Sequence, residues 1–116
     1  MIKSFVKAAA LVGVLLSAST ATAYAQCGGA SWYSLPGNRT ANGDRMNPGA
    51  MTAAHKSLPF GTKLRVTDQR TGHAVVVTIN DRGPFVRGRI IDLSSGAAKQ
   101  LGFRNRGTTS VCVKRI

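Results

Sequence analysis

The sequence contains no glutamate. Only four aspartates, Asp44, Asp68, Asp81 and Asp92, stand against 16 lysines and arginines. Acid–base chemistry in this chain must draw on those four carboxyls and on two histidines, His55 and His73. Aromatic residues are scarce as well, at 6%. Sequence-neutral nucleic-acid binding interleaves basic grooves with stacking rings. Here the rings are few and the cations are spread along the chain, so no nucleic-acid partner is expected. Cysteine is limited to Cys27 and Cys112. A metal site would need further ligands near them and the sequence offers none, so no metal or other cofactor is expected. The long apolar run, Ala8–Leu16, is too short to cross a bilayer, which takes about 20 apolar residues, so no stable membrane insertion is expected.

What is present begins with a leader. Lys3 and Lys7 precede the apolar run, and Ala23-Tyr24-Ala25 supplies the small-residue cleavage pattern that follows it. Residues 1–25 read as an export signal and residues 26–116 as one mature domain. Lipidation of Cys27 is disfavoured because Gln26 stands where a small residue normally precedes a lipid-modified cysteine. Export places the domain in the periplasm, outside the cell or in the cell wall, where thiols oxidise. Cys27 and Cys112 are therefore expected to pair. Their bridge would close nearly the whole mature chain, worth about 4–5 kcal/mol in loop entropy. The formal net charge is +12, or +10 once Lys3 and Lys7 are set aside. So large a single-sign charge implies polyanionic surroundings: wall carboxylates, anionic lipid headgroups or phosphate polymers.

Along the mature chain, Ala30–Leu35 reads as a first strand. The stretch Pro36–Asn47, rich in Pro, Gly, Asn and Asp, reads as a loop. Ala50–His55 fits one short helical turn. Lys63–Thr67 alternates basic and apolar residues like a half-buried strand. Asp68–Gly72 is a hairpin connection, and β-branched Ala74–Asn80 is a buried strand. Arg82-Gly83-Pro84 is a tight turn. Arg89–Leu93 is a strand, and Ser94 or Ser95 caps a short helix that ends at Gly102. Ser110–Arg115 is the last strand, with Val111 and Val113 on one face and Cys112 on the other. These short strands, with one or two short helices, point to a small closed β-barrel, which leaves no exposed sheet edge.

Three stretches can carry chemistry. Thr40-Ala41-Asn42-Gly43-Asp44 presents Asp44 at a turn. Met51–His55 ends in a histidine, whose ordinary pKa lies near neutrality. Ile79–Phe85 takes a buried strand directly into Asn80, Asp81 and Arg82, a polar group at a strand end where a rigid scaffold can hold binding residues. An Asp beside an Arg at such a place is equally an ion pair or a turn former. Trp32 and Tyr33 are adjacent on a strand and so face opposite ways; one is core and the other is free to stack on a sugar ring. Asp92, inside apolar Ile90–Leu93, reads as a structural cap for the following helix or turn. Asp68 belongs to the hairpin, and His73 carries little signal.

Taken in order, Ala30-Ser31-Trp32-Tyr33, Thr40-Ala41-Asn42-Gly43, Leu58-Pro59-Phe60-Gly61-Thr62, Ile79–Phe85 and Gly88–Ser94 resemble the rare lipoprotein A (RlpA) family. The resemblance implies a six-stranded double-psi β-barrel, shared with expansins and barwin-like proteins. It also implies an endolytic peptidoglycan lytic transglycosylase that favours glycan strands lacking stem peptides. The family's catalytic acid, usually Glu, falls on Asp44; its essential histidine falls on His55 and its strand-end aspartate on Asp81. A further acidic position falls on Asn47. Trp32, Tyr33, Asn42, Asn80 and Arg82 then become candidate substrate contacts. Peptidoglycan glycan strands are the expected partner, met by a monomer.

The implied reaction cleaves the bond from N-acetylmuramic acid to N-acetylglucosamine. The leaving oxygen needs a proton, and the muramic acid C6 hydroxyl must lose one as it attacks within its own sugar to give a 1,6-anhydro end. No activated water is required, so one carboxyl can act as acid and then base, unlike the carboxyl pair of ordinary glycosidases. Asp44, held in a cleft, takes this role, with His55 and Asp81 orienting the sugar or stabilising charge. Its side chain is shorter than Glu by one carbon, about 1.5 Å, and misplacement near 1 Å can cost about 10²-fold in rate. The alternative is a non-catalytic, expansin-like module that binds wall polysaccharide.

Overall fold

The computed structural model describes residues 25–116. All of the expected export signal except Ala25 lies outside the described residues. Six strands appear in the order β1 (Ala25–Tyr33), β2 (Thr52–Ala54), β3 (Lys63–Asp68), β4 (Ala74–Asp81), β5 (Arg89–Ser94) and β6 (Thr108–Arg115), with one helix, α1 (Ser95–Leu101), between the last two. They close into a barrel in the order β1-β5-β2-β4-β3-β6. β1 pairs with β5 and β2 with β4 in parallel, while the remaining contacts are antiparallel.

Two expectations are corrected here. The helical turn expected over Ala50–His55 is instead strand β2 over Thr52–Ala54. It is only three residues long, too short for a local pattern to reveal, and it exists because β4 and β5 supply backbone partners on both sides. The first strand begins at Ala25 rather than Ala30 and stops at Tyr33. Gly28 and Gly29 hide its beginning from a propensity reading. A Cβ at Gly28 would lie 2.7 Å from the Ile90 side chain, so the glycine is what lets β1 approach β5 so closely.

Alternation within the strands builds the core. Leu64 and Val66 from β3, Val75, Val77 and Ile79 from β4, Ile91 and Leu93 from β5, and Val111 and Val113 from β6 all point inward. Ala97, Ala98 and Leu101 of α1 and the following Phe103 plug the barrel. The helix starts where the Ser94 hydroxyl accepts the Ala97 N–H at 3.1 Å, and it ends at Gly102 in the left-handed conformation, φ +98°. Asp92 therefore does not cap the helix as expected; Ser94 does. Cys27 and Cys112 face each other across β1 and β6 and are disulfide-bonded, as expected, over a separation of 85 residues.

Among the described residues, Asp68 is the one fully buried charge. Its carboxylate accepts the Arg70 N–H at 2.7 Å and the Thr109 hydroxyl at 2.9 Å, tying the β3–β4 hairpin to β6. Burial by itself would raise its pKa. The hydrogen bonds from Arg70 and Thr109 and the Arg70 charge outweigh it, and the pKa lies below the ordinary carboxylate value. Because the folded pKa is depressed, this contribution to stability is present above the unfolded value, about 3.9, and is lost as pH falls through the folded one. Asp68→Asn is expected to destabilise the fold by about 1–3 kcal/mol at neutral pH. In denaturant titrations that gap should narrow below about pH 4; a gap that stays constant with pH would show that the charge contributes nothing.

Candidate functional site

A single row of residues crosses three strands. Ala54 of β2 pairs with Asp92 of β5 on one side and with Asp81 of β4 on the other. Ala54 itself is buried between them. A bulge between β2 and β4 at Ala53/Ala54 ends the regular ladder there and re-aims the side chains at the end of β4.

Asp81 is the most heavily bonded group of the row. Its Oδ2 accepts the Tyr33 hydroxyl at 2.9 Å, and its Oδ1 accepts the backbone N–H of Ala41 at 2.8 Å and of Arg82 at 2.9 Å. One carboxylate thus joins the end of β1, the 40–44 loop and the turn after β4. Asp92 is half-buried and its Oδ1 accepts the Ser31 hydroxyl at 3.0 Å. Burial raises the Asp92 pKa above the ordinary value, and the neighbouring charge of Asp81 pushes it the same way against the opposing effects of Ser31 and Arg89. The Tyr33 hydroxyl is also held well above its usual pKa, first by burial and then by its hydrogen bond to Asp81 and the two carboxylate charges.

The 40–44 loop is organised from within. Asn42 Oδ1 accepts the Thr40 hydroxyl at 2.6 Å and the Asp44 N–H at 3.0 Å, its amide nitrogen donates to Asp44 Oδ2 at 2.9 Å, and its backbone N–H donates to Asn80 O at 3.2 Å. Gly43, at φ +94°, makes the reversal possible. Asp44 does not sit in a cleft as expected: it is exposed on this loop, because the turn that carries it projects from the barrel. Asn42 is committed to shaping the loop. Asn80 is 8% exposed, and its buried Oδ1 has no partner among the described residues.

His55 follows β2 and is buried. Its Nδ1 accepts two backbone N–H groups, from Ser57 and Leu58, each at 3.1 Å. The proton must therefore sit on Nε2, which faces Gln26 Oε1 at 3.3 Å. Burial lowers its pKa below the ordinary histidine value, with Arg82 and Lys56 adding to the effect. The side chain can donate a hydrogen bond from Nε2 but is poorly placed to take up a second proton. Arg82 makes no ion pair with the Asp81 carboxylate. Its guanidinium donates to His55 O at 3.2 Å and lies 4.1 Å from the Phe60 ring centroid. Phe60 and Phe85 are both exposed, Phe85 at the turn containing a cis Gly83–Pro84 bond.

The structure therefore brings together Tyr33, Asn42, Asp44, His55, Asn80, Asp81 and Arg82. It separates Trp32, which packs partly on the core and donates Nε1–H to Arg104 O at 2.9 Å. Of the two adjacent aromatics, Tyr33 belongs to the site. Sequence reasoning missed Asp92, Ser31 and Gln26. An acid inside an apolar strand was the available signal for Asp92, and it was read as a cap.

Comparison with known proteins agrees with this geometry. A family model described as lytic transglycolase matches residues 25–113. A probable endolytic peptidoglycan transglycosylase RlpA of Synechocystis is 56% identical over 86 residues, covering 72% of this chain and 27% of that protein. The endolytic peptidoglycan transglycosylase RlpA of Neisseria meningitidis serogroup A is 47% identical over 95 residues, covering 80% of this chain and 40% of its own. The chain thus spans well under half the length of these curated relatives. Among solved structures, a mutant expansin of Clavibacter michiganensis in complex with cellohexaose superposes with a TM-score of 0.63 at 25% identity, covering 79% of this chain and 50% of that one.

The bonding of His55 makes a prediction about pH. A lowered folded pKa means that the unfolded chain binds the extra proton first, so stability rises with pH up to about 6.5, the unfolded value. NMR titration is expected to show His55 as the Nε2–H tautomer, protonating only below that value. His55→Ala should flatten the corresponding part of the stability–pH curve. Titration of His55 above 6.5 would contradict the assignment.

Proposed function

From the premise that this chain belongs to the RlpA-like family of double-psi β-barrels, we propose that it is an exported lytic transglycosylase, cleaving peptidoglycan glycan strands to 1,6-anhydromuramic acid ends. The observation that carries this reading is the Asp92–Ala54–Asp81 row with Tyr33, His55 and the 40–44 loop around it. Asp44 acts as the acid that protonates the leaving oxygen and the base that takes the C6 hydroxyl proton. Asp81, saturated by three donors, holds the loop that carries Asp44 and so sets its position. His55, neutral and donating from Nε2, offers a hydrogen bond to a sugar oxygen. Arg82 on Phe60 gives the cleft a flat cationic wall, and the exposed rings of Phe60 and Phe85 give it an apolar one. A cellohexaose-bound expansin of similar fold supports an extended glycan as the ligand class.

One observation favours a second assignment of the proton. Asp92 is half-buried beside Asp81, and its pKa is raised by burial and by the Asp81 charge, the direction that suits a general acid. In that reading Asp92 delivers the proton, and Asp44 at the rim binds or orients the sugar.

Mass spectrometry of products from purified peptidoglycan separates these readings. The parent protein is expected to release anhydromuramyl ends. Asp44→Asn should lower the rate by about 10²–10⁴ if it is the acid–base group. A loss of that size in Asp92→Asn with a mild effect of Asp44→Asn moves the proton to Asp92. Binding without anhydro products in the parent would instead make the domain a polysaccharide-binding module of expansin type.

A further inference from the structure

The Asp92–Ala54–Asp81 row centres on β2. In the barrel order the strand three places round from β2 is β6, so the outward face of β6 and its neighbour β3 is a wall away from that row. On that wall Lys63 and Arg65 point outward on either side of buried Leu64, and Lys114 points outward beyond buried Val113. Arg65 and Lys114 are directly paired across the two strands. Like charges placed opposite each other destabilise an antiparallel ladder. Lys63, two residues from Arg65 on the same face, adds a third cation; its Nζ donates to the Thr78 hydroxyl at 3.2 Å.

No side-chain carboxylate relieves this repulsion. Asp92 lies on β5, Asp81 ends β4 tied to Tyr33 and the 40–44 loop, Asp44 is bound within that loop, and Asp68 is buried against Thr109. Among the described residues the one salt bridge is Arg70 to Asp68. Two exposed aliphatic side chains flank the cations: Val76, the cross-strand partner of Arg65 on β4, and Ile116, whose N–H donates to Lys63 O. Among the described residues, β3 and β6 carry no aromatic side chain.

We propose that the outward face of β3 and β6 is a second interaction surface, which docks the barrel on anionic phospholipid headgroups. The cations would take the headgroup phosphates and the two aliphatic side chains the boundary beneath them, an arrangement suited to peripheral attachment. A glycan surface fits less well, because a face without rings offers a sugar nothing to stack on, and exposed Val76 and Ile116 have no counterpart among its hydroxyls. Bound this way, the protein turns its cleft away from the membrane. The docking does not depend on what the cleft does.

The test is co-sedimentation of the chain recovered from an exporting host with vesicles. One set contains phosphatidylcholine alone; the other carries phosphatidylglycerol. The parent should bind only the second, and salt should weaken the binding. Lys63→Gln, Arg65→Gln and Lys114→Gln together should reduce binding about a hundredfold. Lys99→Gln, Arg104→Gln and Arg106→Gln remove the same charge away from this face and should leave most of it. Equal losses in the two triple variants would show that net charge alone is read, and would overturn the proposal. So would failure of the parent to bind at about 0.1 M salt. Arg65→Gln alone gives a second measure. Relief of the cross-strand repulsion should raise the melting temperature of the free protein, and phosphatidylglycerol vesicles should stabilise the parent more than this variant.

Discussion

The Asp81 carboxylate is the constraint on which the site depends. It draws the end of β1 through Tyr33, the 40–44 loop through Ala41 and its own turn through Arg82 to one point. Tyr33 is also the last ladder residue of β1, paired with Ser94, whereas the 40–44 loop is held to the barrel by this carboxylate and by the Asn42 N–H to Asn80 O bond. Such a carboxylate is costly to leave unpaired when partly buried, and well stabilised when its lone pairs are filled. The same bonds commit Asp81 to holding these segments together.

With four acids in the whole chain, each occupies a distinct environment. Asp68 is fully buried and satisfied by Arg70 and Thr109, which keeps it charged. Asp92 is half-buried with one hydroxyl donor, which favours its protonated form. Asp44 is exposed and bound to its own loop. Burial acts on Asp68 and Asp92 in the same direction, and the number of donors decides which way each goes. His55 follows the same logic with the opposite sign of charge: two backbone donors at Nδ1 and two nearby cations favour the neutral ring.

Much of the barrel was legible because inward and outward residues alternate strictly along β3, β4 and β6. The helix was legible from Ser94 and Gly102, whose side-chain and backbone chemistry start and stop it locally. β2 was not, since three residues carry no period and owe their conformation to neighbours distant in sequence. The beginning of β1 was hidden by glycines whose purpose is close approach to Ile90. At the site, the motifs singled out Asp44, His55 and Asp81, and backbone and side-chain hydrogen bonds join His55 and the Asp44 loop to Asp81. Trp32 was assigned to the substrate with Tyr33, although strand alternation allows only one of the two to face it.

The sequence by itself determined the composition of the problem: a basic chain with few acids, two cysteines placed to pair, strands with a clear inward face, and motifs sufficient to name a family. These are properties of residue type and short-range spacing. Only the tertiary structure decided that Ala54 would pair with both Asp92 and Asp81, that Asp44 would be exposed on its loop, and that Arg65 would face Lys114. Those relations join strands that are far apart in the chain. They follow from barrel closure and from a bulge, which shift register by single residues and so decide which side chains share a face.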